Sequence, residues 1–183
     1  MTTARPGVGR RASFAERKER RAQVDDPAVV LEAAARFLEP RARSVVEVRR
    51  RLIGAGYQNE LVEGAITRML ELGVLDDEAF ARAWIESRDR ARPRGELALR
   101  RELGQKGVDR QVTDDVLAAR TEGSDGEIDM TAALRLLDRR RSSLERESDP
   151  VKRRRKAYAL LARNGFDPDT CRSATTRWLY PSG

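Results

Sequence analysis

At 183 residues, with 37% charged, 39% hydrophobic and 5% aromatic residues, the chain is poorly supplied for one deep core and suits small helical modules in series. Its 37 Lys and Arg against 30 Asp and Glu give a net charge of +7, which favours an anionic partner such as nucleic acid or an acidic protein surface. A single cysteine, Cys171, and no histidine exclude an internal disulfide framework and a Cys/His zinc site.

Residues 1–26 read as a disordered basic arm. Arg5, Arg10, Arg11, Arg17, Lys18, Arg20 and Arg21 outnumber Glu16, Glu19, Asp25 and Asp26, and Pro6, Gly7 and Gly9 break any early helix. The arm is expected to be a solvated tail, with an electrostatic arm for DNA as the sharper alternative.

Asp26-Pro27 then opens a helix, Asp as N-cap and Pro in the first turn, with Val30, Leu31, Ala34, Phe37 and Leu38 as its apolar stripe and Pro40 as its stop. Ser44 and Glu47 form a capping-box pattern for the next helix, in which Val45, Val48 and Leu52 face inward. After Gly56, Leu61, Val62, Ala65, Ile66, Met69 and Leu70 mark a third helix, closed by Gly73. A second unit starts at Asp76-Asp77-Glu78, acids suited to a helix N-terminus, and buries Phe80, Ala83 and Trp84. The stretch Arg92-Pro93-Arg94-Gly95 is a break. Leu99 and Leu103 bury the following helix, and Asp109 caps another, with Val112, Val116 and Leu117 inward. Thr121 to Gly126 has the composition of a flexible linker. Leu134, Leu137 and Leu144 keep helical spacing beyond it, and Asp149-Pro150 and Asp167-Pro168 repeat the Asp-Pro start. Trp178 and Leu179 close the last helix. Cys171 falls on an apolar stripe and reads as buried filler.

Three of these stretches are copies of one pattern. Align Gly56, Gly107 and Gly165: a leucine stands four residues before each, at Leu52, Leu103 and Leu161, and an apolar residue follows, at Tyr57, Val108 and Phe166. Val48, Leu99 and Ala157 lie eight residues before, and Ala65, Val116 and Ala174 nine after. Steps of four on both sides of a glycine predict a helix that stops at a left-handed glycine cap, with a second helix beyond it. A proline precedes each glycine by a nearly constant offset, at Pro40, Pro93 and Pro150, with a further helical pattern before it. The fold class is therefore all-α: an elongated array of three tandem three-helix repeats behind a disordered basic arm. The expected domains are 1–26 arm, 27–75 repeat 1, 76–120 repeat 2, 121–126 linker and 127–180 repeat 3.

Chemistry is sparse. There is no Walker-type glycine loop, no GxGxxG and no histidine to serve as general base. The carboxylates Asp76, Asp77 and Glu78 are explained by a helix start without a metal. No catalytic, cofactor-binding or metal-binding residue is assigned, and the chain is not expected to be an enzyme. No apolar run approaches a membrane span and no secretory signal opens the chain, so it is expected to be cytoplasmic. Basic residues do recur: Arg49, Arg50 and Arg51; Arg100, Arg101 and Lys106; Lys152, Arg153, Arg154 and Arg155. Superposed repeats would set these candidates along one binding surface. Residues 60–78 are acidic, and a two-signed unit suits a protein partner better than a plain DNA groove.

Two stretches in order, Leu70-Glu71-Leu72-Gly73-Val74-Leu75-Asp76-Asp77-Glu78-Ala79-Phe80-Ala81 with Arg88 beyond, and Leu99-Arg100-Arg101-Glu102-Leu103-Gly104-Gln105-Lys106-Gly107-Val108-Asp109, resemble the RecX family, regulators of the bacterial RecA recombinase. The resemblance runs from residue 28 to 180 and is looser in the third repeat, through Leu161 to Phe166. It implies a non-enzymatic protein that lies in the groove of the RecA–DNA filament and limits strand exchange, ATP hydrolysis and co-protease activity. The expected partners are the RecA filament and, through the basic surface, single-stranded or duplex DNA, and the chain is expected to be a monomer. The alternative is a helical nucleic-acid-binding module that acts without RecA.

Overall fold

A computed structural model describes residues 13–122 and 127–181, and every regular element among them is a helix. The chain divides into two units, one ending at Leu75 and one beginning at Asp76.

The first unit holds α1 (Phe14–Ala22), α2 (Pro27–Leu38), α3 (Val45–Ala55) and α4 (Asn59–Glu71). The Asp26 side chain accepts from the amide of Ala28 at 2.8 Å, and Pro27 follows in the first turn, where its missing N–H costs nothing. The Ser44–Glu47 box is complete in both directions, 3.2 and 3.4 Å, so α3 makes its own cap. Gly56 then takes φ +106° and turns the chain into α4. The core gathers Val30 and Ala34 of α2, Val48 and Leu52 of α3, and Val62, Ile66 and Met69 of α4, with Leu75 behind them. Each fully buried side chain of this kind contributes about 1.5–3 kcal/mol.

Of the expected disordered arm, residues 1–12 lie outside the described residues, but residues 14–22 form α1, a helix that starts at its own Ser13–Glu16 capping box. It lies over the Gly56 turn. A Cβ on Gly56 would stand 2.6 Å from the Lys18 carbonyl oxygen, Gln58 donates to the carbonyl of Ala22 at 2.9 Å, and the Arg21 guanidinium sits 5.7 Å from the Tyr57 ring. Counting charges hides this contact, because the aliphatic stems of Lys and Arg cover apolar surface while their heads stay in water.

The second unit holds α5 (Asp77–Ala91), α6 (Glu96–Lys106), α7 (Arg110–Thr121), α8 (Glu127–Arg139), α9 (Arg141–Glu145), α10 (Pro150–Arg163) and α11 (Pro168–Leu179). Asp76 caps α5 through the amides of Glu78 and Ala79, and Asp109, Asp149 and Asp167 cap α7, α10 and α11. Gly107 and Gly165 take φ +79° and +82° at the α6–α7 and α10–α11 turns. One core joins Phe80, Ile85, Leu99, Leu103, Val116 and Leu117; another joins Leu137, Leu144, Leu161, Phe166, Cys171 and Trp178. Cys171 is buried, and burial pushes its thiol up to about 11.

Three details depart from the sequence reading. On α5, Ala83 is exposed, and Ala81 and Ile85 take the inward face with Phe80. Trp84 lies at the flank, half-buried, its indole N–H donating to Glu102 at 3.0 Å and its ring covered by Arg88 at 4.1 Å. Thr121, the first residue of the expected linker, is instead the last of α7, and residues 123–126 lie outside the described residues. The third repeat has four helices, because Arg140 interrupts the first and starts the short α9, which carries Leu144 into the core.

The second and third repeats meet along a seam made of backbone. Gly95 precedes α6 and supplies no side-chain cap. The α6 amides find acceptors in the third repeat instead: Gly95 N–H on the Asn164 carbonyl at 3.0 Å, Glu96 N–H on Asp129 Oδ2 at 3.2 Å, Leu97 N–H on the Gly165 carbonyl at 3.1 Å. A Cβ on Gly95 would run into the backbone of Gly165 and Phe166, and one on Gly165 into Ala98. Beside the seam Arg120, its side chain 8% exposed, lies between Asp89 at 2.9 Å and Asp129 at 2.7 Å. Burial lowers the affinity of this guanidinium for its proton, but hydrogen bonds to both carboxylates outweigh burial, and its pKa is raised. Arg139 adds hydrogen bonds to the carbonyls of Ala91 and Arg90.

Candidate functional site

The basic side chains singled out by the sequence divide into two kinds. Several are spent within the fold. Arg49 makes a two-pronged pair with Glu63, 2.6 and 2.7 Å, and that hydrogen bond holds the Glu63 carboxyl below its ordinary range. Arg51 stacks 5.6 Å from the Phe37 ring. Arg100 pairs with Glu96 at 2.7 Å and with Asp114. Lys106 stands over the Trp84 ring at 4.9 Å. Lys152 is 4.0 Å from Asp149, and Arg153 donates to the Glu147 carbonyl at 2.9 Å.

The second kind is exposed and makes no ion pair among the described residues: Arg50, Arg101, Arg154 and Arg155. Arg50 and Arg101 occupy the same place in their repeats, six residues before the capping glycine. Arg154 and Arg155 stand eleven and ten before theirs, more than a helical turn earlier, so the third cluster is not the same rung of a ladder.

The structure gathers some of these residues around hollows. Arg100 and Arg101 share one of about 520 Å³ with Arg110, Gly104, Val108 and Thr113. Arg154 lies on a larger cleft of about 910 Å³, where it meets Arg141 of α9 and Arg172 and Arg177 of α11, together with Trp178 and Tyr180. The sequence reading gave these last residues no binding role. Their signal is Ser173 with Thr176 and Arg177, three and four residues on along one side of α11, and Tyr180 just past its end. That spacing marks a face, but it does not reveal that α9 and α10 bring further arginines to it.

Among the described residues no group of three or more Cys, Asp or Glu is placed to hold a metal ion, and no helix is long and apolar enough to cross a membrane. What the arrangement offers chemically is guanidinium and hydroxyl donors on helical faces.

Comparison with known proteins accounts for all three repeats. Family models match in tandem: the RecX first three-helix domain over residues 31–69, the second over 76–117 and the third over 127–175. The regulatory protein RecX of Mycolicibacterium smegmatis is 32% identical over 171 residues, covering 91% of this chain and 89% of that protein. The regulatory protein RecX of Mycolicibacterium vanbaalenii is 35% identical over 140 residues, 72% of each. The crystal structure of RecX from Lactobacillus salivarius superposes with a TM-score of 0.73 at 18% identity, over 84% of this chain and 97% of that one, and so shares the fold. With each repeat matched by its own domain model and relatives aligned along most of their length, the chain belongs to the RecX family.

Proposed function

We propose that the protein is a non-enzymatic modulator of the RecA recombinase that binds the RecA–DNA filament and restrains its strand exchange, ATP hydrolysis and co-protease activity, in cytoplasmic DNA repair and the SOS response. The observation that carries this reading is family membership across all three repeats, with relatives that are named regulatory proteins. Its physical support is the set of exposed arginines without an ion pair among the described residues, Arg50, Arg101 and Arg155, one on each repeat. Each alone offers a weak, solvent-screened contact. Three on one chain, facing a partner that repeats its own surface, act through effective concentration, which favours an assembled filament over a free subunit.

The test is a titration of RecA hydrolysing ATP on single-stranded DNA. The wild-type chain should inhibit, and inhibition well below one protein per RecA identifies action at filament ends. The triple variant Arg50→Glu, Arg101→Glu, Arg155→Glu should need at least about tenfold more protein for the same inhibition, with an unchanged melting temperature. Undiminished inhibition by the variant rejects these arginines as the contact. No inhibition by the wild type rejects the function.

A further inference from the structure

We infer that the cleft between α9, α10 and α11 is a binding site for one nucleotide of a single-stranded nucleic acid, its phosphate held by Arg154 and Arg177 and its base laid against Tyr180. The inference concerns the third repeat alone and does not depend on RecA.

The charges of the cleft are unequal. Arg141 is matched by Asp138 at 2.6 Å and Glu145 at 3.3 Å, and Arg172 is matched by Asp169. Asp138 also accepts the Trp178 indole N–H at 2.9 Å, so this carboxylate of the cleft wall is held by two donors, Arg141 and Trp178. Arg154 and Arg177 are exposed and have no ion pair among the described residues. Ser173 and Thr176 line the same cleft, and two guanidiniums with two hydroxyls offer donors suited to phosphate oxygens.

The aromatic residues divide the remaining work. Trp178 is only 8% exposed, and Arg141 lies 5.1 Å from its ring, so it serves as a wall. Tyr180 lines the same cleft and is 67% exposed, which suits it to stacking. Guanidiniums that track a backbone beside an aromatic platform are how single strands are held without reading sequence. A volume of about 910 Å³ has room for a nucleotide, and the cleft opens to solvent, as a strand that enters and leaves requires. An acidic peptide would use the guanidiniums but would leave the exposed ring without a purpose.

The test uses the full chain without RecA and the fluorescence anisotropy of a labelled twelve-residue oligothymidylate. Arg154→Ala with Arg177→Ala should weaken binding at least about tenfold and make the slope of log affinity against log salt shallower by about 0.7, the value for one phosphate. Tyr180→Ala should weaken it at least about fivefold and leave the salt slope unchanged. A charge-matched control, Arg135→Ala with Arg163→Ala, removes two exposed arginines outside the cleft and should change binding less than about twofold. Thymidine triphosphate should compete only weakly. The inference is overturned if the control loses as much as the cleft pair, if Tyr180→Ala has no effect, if polyglutamate binds as tightly as the oligonucleotide, or if the free nucleotide does. None of these outcomes bears on RecA inhibition, which is scored in a separate assay with the other arginines.

Discussion

The first and second repeats start their middle helices in opposite ways. In the first, α3 is capped by its own Ser44 and Glu47. In the second, α6 begins at a glycine that has no side chain to offer, and its leading amides bond to Asn164, Gly165 and Asp129 of the third repeat. The free amides of a helix start must be satisfied somewhere. One repeat does this locally and the other does it across a seam, so the same three-helix plan yields a self-sufficient unit in one place and half of a unit in another. An internal repeat in sequence therefore does not guarantee independent folding.

The largest effect should come from ending the chain at Glu122. The second repeat then loses the acceptors of its α6 amides and one carboxylate of Arg120, while the first loses nothing that caps it. Hydrogen exchange should show residues 77–121 unprotected and residues 27–71 as protected as before; persistent protection of 77–121 would break the comparison. Next, Gly165→Ala forces a side chain into a left-handed turn and against Ala98, and should cost about 3 kcal/mol in chemical denaturation, felt by both repeats of the second unit. Third, Arg120→Met leaves Asp89 and Asp129 without their shared cation and should cost about 3 kcal/mol. Changing both aspartates to Asn in the same chain should return part of that loss, as a double-mutant cycle would show. Fourth, Ser44→Ala should cost about 1 kcal/mol, with the effect confined to the first unit.

The smallest effect concerns pH. Burial raises the pKa of Asp167, but hydrogen bonds from Thr170 and from the amides at the start of α11 outweigh it, so the folded value lies below the ordinary one. A depressed carboxylate contributes stability that is present above its unfolded pKa and lost as pH falls through the folded value. Asp167→Asn keeps the capping oxygen but not the charge. It should change stability by less than about 1 kcal/mol at pH 7 and flatten the fall in stability below about pH 4. An unchanged acid limb would show that Asp167 does not contribute to it.

Much of the fold was legible because glycine and proline have few uses. Gly56, Gly107 and Gly165 all take the positive φ that their place after a stripe of leucines requires, and each Asp-Pro pair opens a helix. Buried positions four apart, such as Val48 with Leu52, Leu99 with Leu103 and Ala157 with Leu161, repeat the alignment. What sequence pattern could not supply was anything that depends on where two helices meet. Gly95 reads as a loop residue in the chain and is the floor of the seam in space. Arg120 reads as one more surface charge and is buried between two carboxylates. Arg49 and Arg50 are neighbours of one type, yet one is paired and the other has no ion pair among the described residues, because Glu63 reaches only the first. The α9–α11 cleft has the same origin, since its arginines come from three helices.

The backbone seam also bears on how such chains can be inherited. Two repeats that complete each other's main-chain bonding cannot be swapped singly, because the incoming piece would have to match at Gly95, Asp129 and Gly165 together. A chimera drawn from two relatives should survive a crossover just before Asp76 far more often than one between Glu122 and Glu127. The smallest heritable block of the second half is the pair of repeats.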